Sequence, residues 1–348
     1  MSWEPVLLEA ALVLAGLLLV AFGLLVVHGT WRVAADAYWR RPTAEARAAL
    51  AETADRLELT PDGARRLQRL TARRRIDLFA ELAPSVAGAP RSALADAAGA
   101  LDVVASAERW CGSRRWRRRL RGARLLTTLG GGETAVPPLL RDPRPEVRTQ
   151  AAEWAAAHPD PHVDTTLTGM LDDPRGLARF TVMDSLIRLG ASAVEPLGRA
   201  IDSADGVAAV AALRVGTAIA DPRLAPHARR RLDDEDPTTR AWAVRLVGAV
   251  GGDENAAAVA EHLHDPADEV RAAAGVALGR LGHWPAAPEL GRCLGDPSWI
   301  VRRNAALALR SFGPAGELLL NRALREEDDF ARDIARQTLD LPEVSLPA

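Results

Sequence analysis

Asp265-Pro266-Ala267-Asp268-Glu269-Val270-Arg271 decides the fold, because the same frame returns along the chain. Asp296-Pro297-Ser298-Trp299-Ile300-Val301-Arg302 follows one unit later, and the stretches Asp142 to Arg148 and Asp173 to Arg179 precede it. In each, an Asp-Pro opens a turn and an arginine stands six residues after the aspartate. Asp234 and Arg240 keep that spacing with the proline displaced to Pro237. Eleven residues after the arginine comes a glycine, at Gly190, Gly251, Gly282 or Gly313, and Arg119 with Gly130 extends the frame upstream. The register positions Arg119, Arg148, Arg179, Val210, Arg240, Arg271, Arg302 and Arg332 lie 29 to 31 residues apart. A fixed period of that length marks a repeat architecture.

Between the markers the apolar spacing is helical. After Arg271, Ala274, Ala277, Leu278 and Leu281 share one face, and after Arg302 so do Ala305, Ala308, Leu309 and Phe312. The half-unit before each aspartate reads as a second short helix, as in Ala256-Val259-Leu263 or Leu290-Leu294. Each unit is therefore helix A, an Asp-Pro turn, helix B and a glycine. The aspartate is expected to cap helix B, where an early proline loses no hydrogen bond. The glycine supplies the left-handed conformation that ends helix B. Alanines in helix B permit close approach of neighbours, and a lone hairpin cannot bury both apolar faces, so units must stack.

This pattern resembles the HEAT family, in the short bacterial form also known from phycobilisome-lyase-type repeats, over residues 113–341. The resemblance implies an all-α fold, a right-handed α-solenoid of helical hairpins. It also implies that aspartate and arginine pair between neighbouring units as a ladder. Asp142, Arg148, Asp173, Arg179, Asp265, Arg271, Asp296 and Arg302 would then be structural. The unit at Val210 lacks the arginine and has Ser203 for the aspartate, so the ladder is expected to break there. A bilin lyase or isomerase is the enzymatic alternative suggested by the same likeness, although fold does not carry activity.

Upstream, Ala10 to Val27 is uncharged and rich in Leu, Val and Ala, and Trp3 and Trp31 flank it. A helix would place those indoles ~42 Å apart, close to a bilayer with its headgroups. The expectation is a transmembrane anchor over 1–31. A cleaved signal peptide is the weaker reading, because no basic residue precedes the apolar run. Arg32, Arg40, Arg41 and Arg47 follow it, so the positive-inside rule predicts a single-pass protein of the cell membrane, N-terminus outside and repeats cytoplasmic. Residues 32–112 read as membrane-proximal capping helices over Thr43–Leu59, Thr60–Leu82 and Arg91–Trp110, and 342–348 as a frayed tail.

Composition excludes little else. Apolar residues make up 48%, which rules out wholesale disorder, and the net charge of −2 gives no overall basic character. All 44 basic residues are arginine, in excess over acids across 31–130 and outnumbered by them across 131–348. Cys111 and Cys293 make no disulfide framework and no zinc spacing. His262-Leu263-His264-Asp265 reads as a helix end running into a turn, and Gly130-Gly131-Gly132 lacks the Lys-Ser/Thr of a phosphate loop. No nucleophile, metal or cofactor constellation emerges, so the expectation is a non-catalytic protein without a cofactor.

Two surfaces stand out. The concave face should expose positions two and five after each marker arginine. These are Gln150 and Glu153, Thr181 and Asp184, Trp242 and Arg245, then Ala273 and Val276, and finally Asn304 and Leu307. Trp242 is the expected anchor for a protein partner. The second surface is Arg114, Arg115, Trp116, Arg117, Arg118 and Arg121, with Trp110 before it and Arg73-Arg74-Arg75 as a further basic cluster. It suggests contact with anionic lipid, another polyanion or an acidic partner, with nucleic acid least favoured. The functional expectation is a membrane-tethered scaffold that binds an unidentified protein, with an anionic-lipid or polyanion module as the alternative.

Overall fold

The computed structural model of the chain describes residues 4–173 and 176–342, with side chains at all of these except 4–13, 15, 32–37, 39, 176 and 177. Every regular element among the described residues is helical. The chain divides into two compact units, Met1–Gly132 and Glu133–Ala348.

The first unit contains α1 (Glu4–Arg56), α2 (Pro61–Gln68), α3 (Ala72–Leu82), α4 (Ala89–Ala100), α5 (Val103–Cys111) and α6 (Trp116–Leu129). The hydroxyl of Thr60 accepts from the Gly63 amide at 3.1 Å, so Thr60-Pro61-Asp62 starts a helix as its sequence predicts. Two expected helices are each split. Thr71 caps a fresh start, dividing Thr60–Leu82 into α2 and α3. Asp102, at φ 55°, divides Arg91–Trp110 into α4 and α5. The core of this unit is formed by Leu50, Leu67, Ile76, Phe79 and Leu94, all buried. Each such side chain contributes about 1.5–3 kcal/mol on leaving water.

The membrane anchor is not supported. Among the described residues no helix is long and apolar enough to cross a membrane. Trp3 lies outside the described residues, as do the side chains of residues 4–13, 15 and Arg32. Single-pass topology, a cell-membrane location and the inside–outside assignment are therefore withdrawn. Residues 343–348 of the expected tail lie outside the described residues.

The second unit continues with α7 (Pro145–Ala155), α8 (Pro161–Gly169), α9 (Gly176–Leu189), α10 (Val194–Ser203) and α11 (Gly206–Ile219). Then come α12 (Ala225–Arg229), α13 (Pro237–Val250), α14 (Asp253–Glu261), α15 (Asp268–Leu281), α16 (Ala287–Arg292), α17 (Trp299–Ser311), α18 (Pro314–Ala323) and α19 (Asp329–Leu339). The odd-numbered helices are the B helices, and each packs on the next from α7 through α19. The even-numbered A helices back them, so the unit has two layers built one hairpin at a time. Close approach depends on missing side chains. A Cβ on Gly248 would lie 2.4 Å from Cβ of Ala277, and one on Gly279 would lie 2.9 Å from Cα of Ala308.

Arginine and aspartate tie the units as the resemblance implies. Arg148 donates from Nε to Asp173 at 2.8 Å, Arg240 to both oxygens of Asp265 at 2.9 Å, and Arg271 to Asp296 at 2.7 and 2.9 Å. Each acceptor lies 25 residues ahead, in the next turn. The same guanidiniums also reach back. Arg119, Arg148, Arg179, Arg240, Arg271, Arg302 and Arg332 each donate to a carbonyl six residues earlier, at 2.7–3.2 Å. The aspartates do not cap helix B directly. Asp265 and Asp296 each accept the amide two residues on, at 2.8 Å, and so shape the turn that precedes the helix.

Candidate functional site

The ladder fails at the unit around Val210. Twenty-five residues beyond Arg179 stands Ala204, one past the expected Ser203, and among the described residues Arg179 keeps only its backward bond to the Asp173 carbonyl at 3.2 Å. Arg231 repairs the seam from the following unit, donating to the carbonyls of Ile201 (2.7 Å) and Ala204 and to Asp234 (2.8 Å). Asp202 accepts from Arg230 and pairs with His227 at 2.8 Å across the same joint. Burial raises the Asp202 carboxyl, but the hydrogen bonds from Arg230 and His227 outweigh it and hold the group below its usual range.

Beside this irregular unit lies a groove of about 550 Å³ on the B-helix layer. α9 contributes Arg179, Phe180, Met183, Asp184 and Ile187, α11 contributes Arg214, Thr217 and Ala218, and α13 contributes Trp242. Phe180 is 70% exposed, unusual for a phenylalanine with a core available. The Trp242 ring has guanidiniums over it from two helices, Arg214 at 5.2 Å and Arg245 at 4.6 Å. Such stacking is worth about 0.5–2 kcal/mol and fixes the indole at the groove edge. Burial lowers the pKa of Arg245, opposed by Glu269, yet an arginine keeps its charge at neutral pH. Asp184 pairs with Arg188 at 3.3 Å on the exposed side of α9.

The predicted positions divide. Asp184 and Trp242 line the groove, and Arg245 stacks on Trp242. Thr181 is half-buried on α9 and does not line it. Gln150 is only 6% exposed and bonds Glu153 at 2.9 Å, so that pair faces one another instead of a partner. Asn304 is spent on the neighbouring helix, donating to the Ala272 carbonyl at 3.1 Å. Ala273 is buried and Leu307 half-buried, while Val276 is exposed. Position two is thus buried or half-buried at each of these units, and position five is exposed only at Asp184 and Val276. Phe180, Ile187 and Arg214 were missed. The signal for Phe180 was available, since a large aromatic directly after a marker arginine occurs at no other unit.

The arginine-rich stretch is brought together. Arg73, Trp110, Arg114, Arg115, Trp116, Arg117, Arg118 and Arg121 surround a cavity of about 500 Å³ in the first unit. Cys111, beside it in sequence, is buried, and burial followed by the nearby Glu108 pushes its thiol up to about 12. Burial likewise pushes Cys293 to about 11, so neither is an activated thiol. Among the described residues no group of three or more His, Cys, Asp or Glu could hold a metal ion.

Comparisons with known proteins agree with this architecture. Residues 194–279 and 256–340 match the HEAT repeats family, so the chain carries HEAT repeats over its C-terminal part. Karyopherin Kap121p bound to the SUMO protease Ulp1p is similar in fold, with a TM-score of 0.52 and 15% identity over 84% of this chain. Kap121p bound to Pho4p gives 0.51 at the same identity. The chain spans 41% of either karyopherin. The CpcE–CpcF complex of phycocyanin lyase from Nostoc sp. PCC7120 is matched at 21% identity over 61% of this chain and 88% of that one. Its TM-score of 0.37 lends no support to lyase activity. No curated protein matches the sequence. The described residues are all-helical, residues 194–340 match HEAT repeats, and the fold is similar to that of the karyopherin.

Proposed function

We propose that this chain is a non-catalytic scaffold that binds a partner protein on the B-helix layer of α9, α11 and α13. The observation that carries the reading is the exposed Phe180 standing across the groove from Trp242, with Arg179, Arg214 and Arg245 around them. Large aromatics beside arginines are the side chains that dominate protein interfaces. Three guanidiniums against the single Asp184, itself paired with Arg188, favour an acidic segment that also carries an apolar or aromatic anchor. Arg179 adds a specific element. Arg148, Arg240 and Arg271 each spend Nε on the aspartate of the next turn, and the chain offers Arg179 an alanine there. A partner carboxylate would complete that rung.

Affinity capture on the whole chain tests the reading, comparing the unaltered protein with Phe180→Ala/Trp242→Ala and with Arg179→Ala. A captured protein that the double variant loses and Arg179→Ala weakens supports it, and its acidic segment should then bind as a synthetic peptide. An identical set of proteins on all three would sink the proposal.

A further inference from the structure

We infer that the first unit holds a binding site for a compact ligand bearing several phosphate groups, seated between α3, α5 and α6. This is independent of the protein-binding groove, which lies in the other unit.

The cavity is walled by six arginines and two tryptophans. Arg73 comes from the start of α3, Trp110 from the end of α5, Arg114 and Arg115 from the link, and Arg117, Arg118 and Arg121 from α6. Among the described residues Asp77 is the one carboxylate paired with this set, 3.5 Å from Arg121 and 3.9 Å from Arg73 at one side. Arg114, Arg115, Arg117 and Arg118 are exposed and have no carboxylate partner among the described residues. By contrast, Arg240 and Arg271 in the other unit each bond both oxygens of an aspartate. Like charges gathered on one hollow repel each other, so the arrangement raises the energy of the empty site and favours an anion.

The start of α6 sharpens the point. Helix N-termini carry positive partial charge, and acids belong in the first turn. α15 follows that rule with Asp268 and Glu269, whereas α6 begins Trp116-Arg117-Arg118-Arg119, without an acid and without a side-chain cap. Arg119 turns back to the carbonyls of Ser113 (2.9 Å) and Arg114 (3.3 Å), bracing the link so that its neighbours stay on the cavity side. An anion at this end would answer both the guanidiniums and the helix dipole.

The chemistry selects the ligand class. Arginine forks fit phosphate oxygens two at a time, and six guanidiniums carry more positive charge than one phosphate neutralises. The volume, about 500 Å³, suits a small ligand with clustered phosphates. Trp110 and Trp116 add ring faces to the walls, with Arg117 lying 5.5 Å over Trp116.

Titration calorimetry of the full chain with inorganic triphosphate tests this, with vesicles containing phosphatidylinositol bisphosphate as a second arm. Saturable one-to-one binding of triphosphate, weakened at least about tenfold in Arg114→Gln/Arg117→Gln/Arg118→Gln, is expected. Because those side chains are exposed, the triple variant should keep its melting temperature, and Arg117→Lys should recover only part of the affinity. Binding to triphosphate but not vesicles assigns a soluble ligand. Vesicle binding that soluble inositol trisphosphate competes away assigns a lipid headgroup. Affinity unchanged in the triple variant, no binding in either arm, or binding to single-stranded RNA alone would each overturn the inference.

Discussion

The seven marker arginines do two jobs that separate cleanly at the level of single residues. Arg271 bonds Asp296 ahead of it and the Asp265 carbonyl behind, while among the described residues Arg302 bonds only backward, to the carbonyls of Asp296 and Pro297, and lies 4.4 Å over Phe330. Arg271 and Asp296 are largely buried, so Arg271→Ala strands a carboxylate that keeps only the Ser298 amide. That should cost about 3 kcal/mol, against about 1 kcal/mol for Arg302→Ala, as urea unfolding would show. Equal losses would mean that the forward rung contributes nothing. The pH dependence has a definite sign. Burial raises Asp265, but hydrogen bonds from Arg240 and the Ala267 amide outweigh it and hold the folded carboxyl below its ordinary value. Such a group stabilises the fold fully above an unfolded pKa of about 3.9, and the benefit is lost as pH falls through the folded value. Melting temperature should therefore be flat from pH 7 to about pH 5 and fall below about pH 4. Arg240→Gln should blunt that fall.

At the scale of helices, packing depends on what the B helices lack. Gly248 on α13 sits so near Ala277 on α15 that a methyl group cannot enter without moving one of them. Gly248→Ala, which would help an isolated helix, is expected to destabilise the protein by about 1–3 kcal/mol. Gly291, with open space around it, should tolerate the same change. Thermal unfolding of the two variants checks this, and a stabilised Gly248→Ala would show that the helices slide apart freely. The period and the hairpins were legible because each follows from local spacing, whereas the backward arginine bonds were not foreseen. Small residues in helix B announced close approach, although not that Gly248 was the tightest of the B-helix glycines. The outward face was read less well, since a helix's exposed line depends on its roll against two neighbours. That roll turned Gln150 and Asn304 into the seams and brought out Phe180 and Ile187. The apolar run of α1 misled for another reason. Hydropathy ranks residues, and among the described residues no helix is long and apolar enough to cross a membrane.

Across the molecule, the two proposed surfaces belong to different units and differ in physical character. The cavity of the first unit is walled by guanidiniums with one carboxylate nearby, whereas the groove of the second mixes Phe180, Met183, Ile187 and Trp242 with three arginines. Binding at the first should weaken steeply with salt, because exposed charges supply nearly all of the attraction. Binding at the second should weaken less, because apolar burial does not screen. A double dissociation follows. Phe180→Ala/Trp242→Ala should abolish partner capture while leaving triphosphate affinity within about twofold, and Arg114→Gln/Arg117→Gln/Arg118→Gln should do the reverse. Variants that share no contacts act independently unless a two-state change links them. Calorimetry and capture on the same two preparations would decide it. If each variant damaged both activities, the surfaces would be coupled, and bound phosphate would have to be treated as an effector of partner binding rather than as a second, separate ligand.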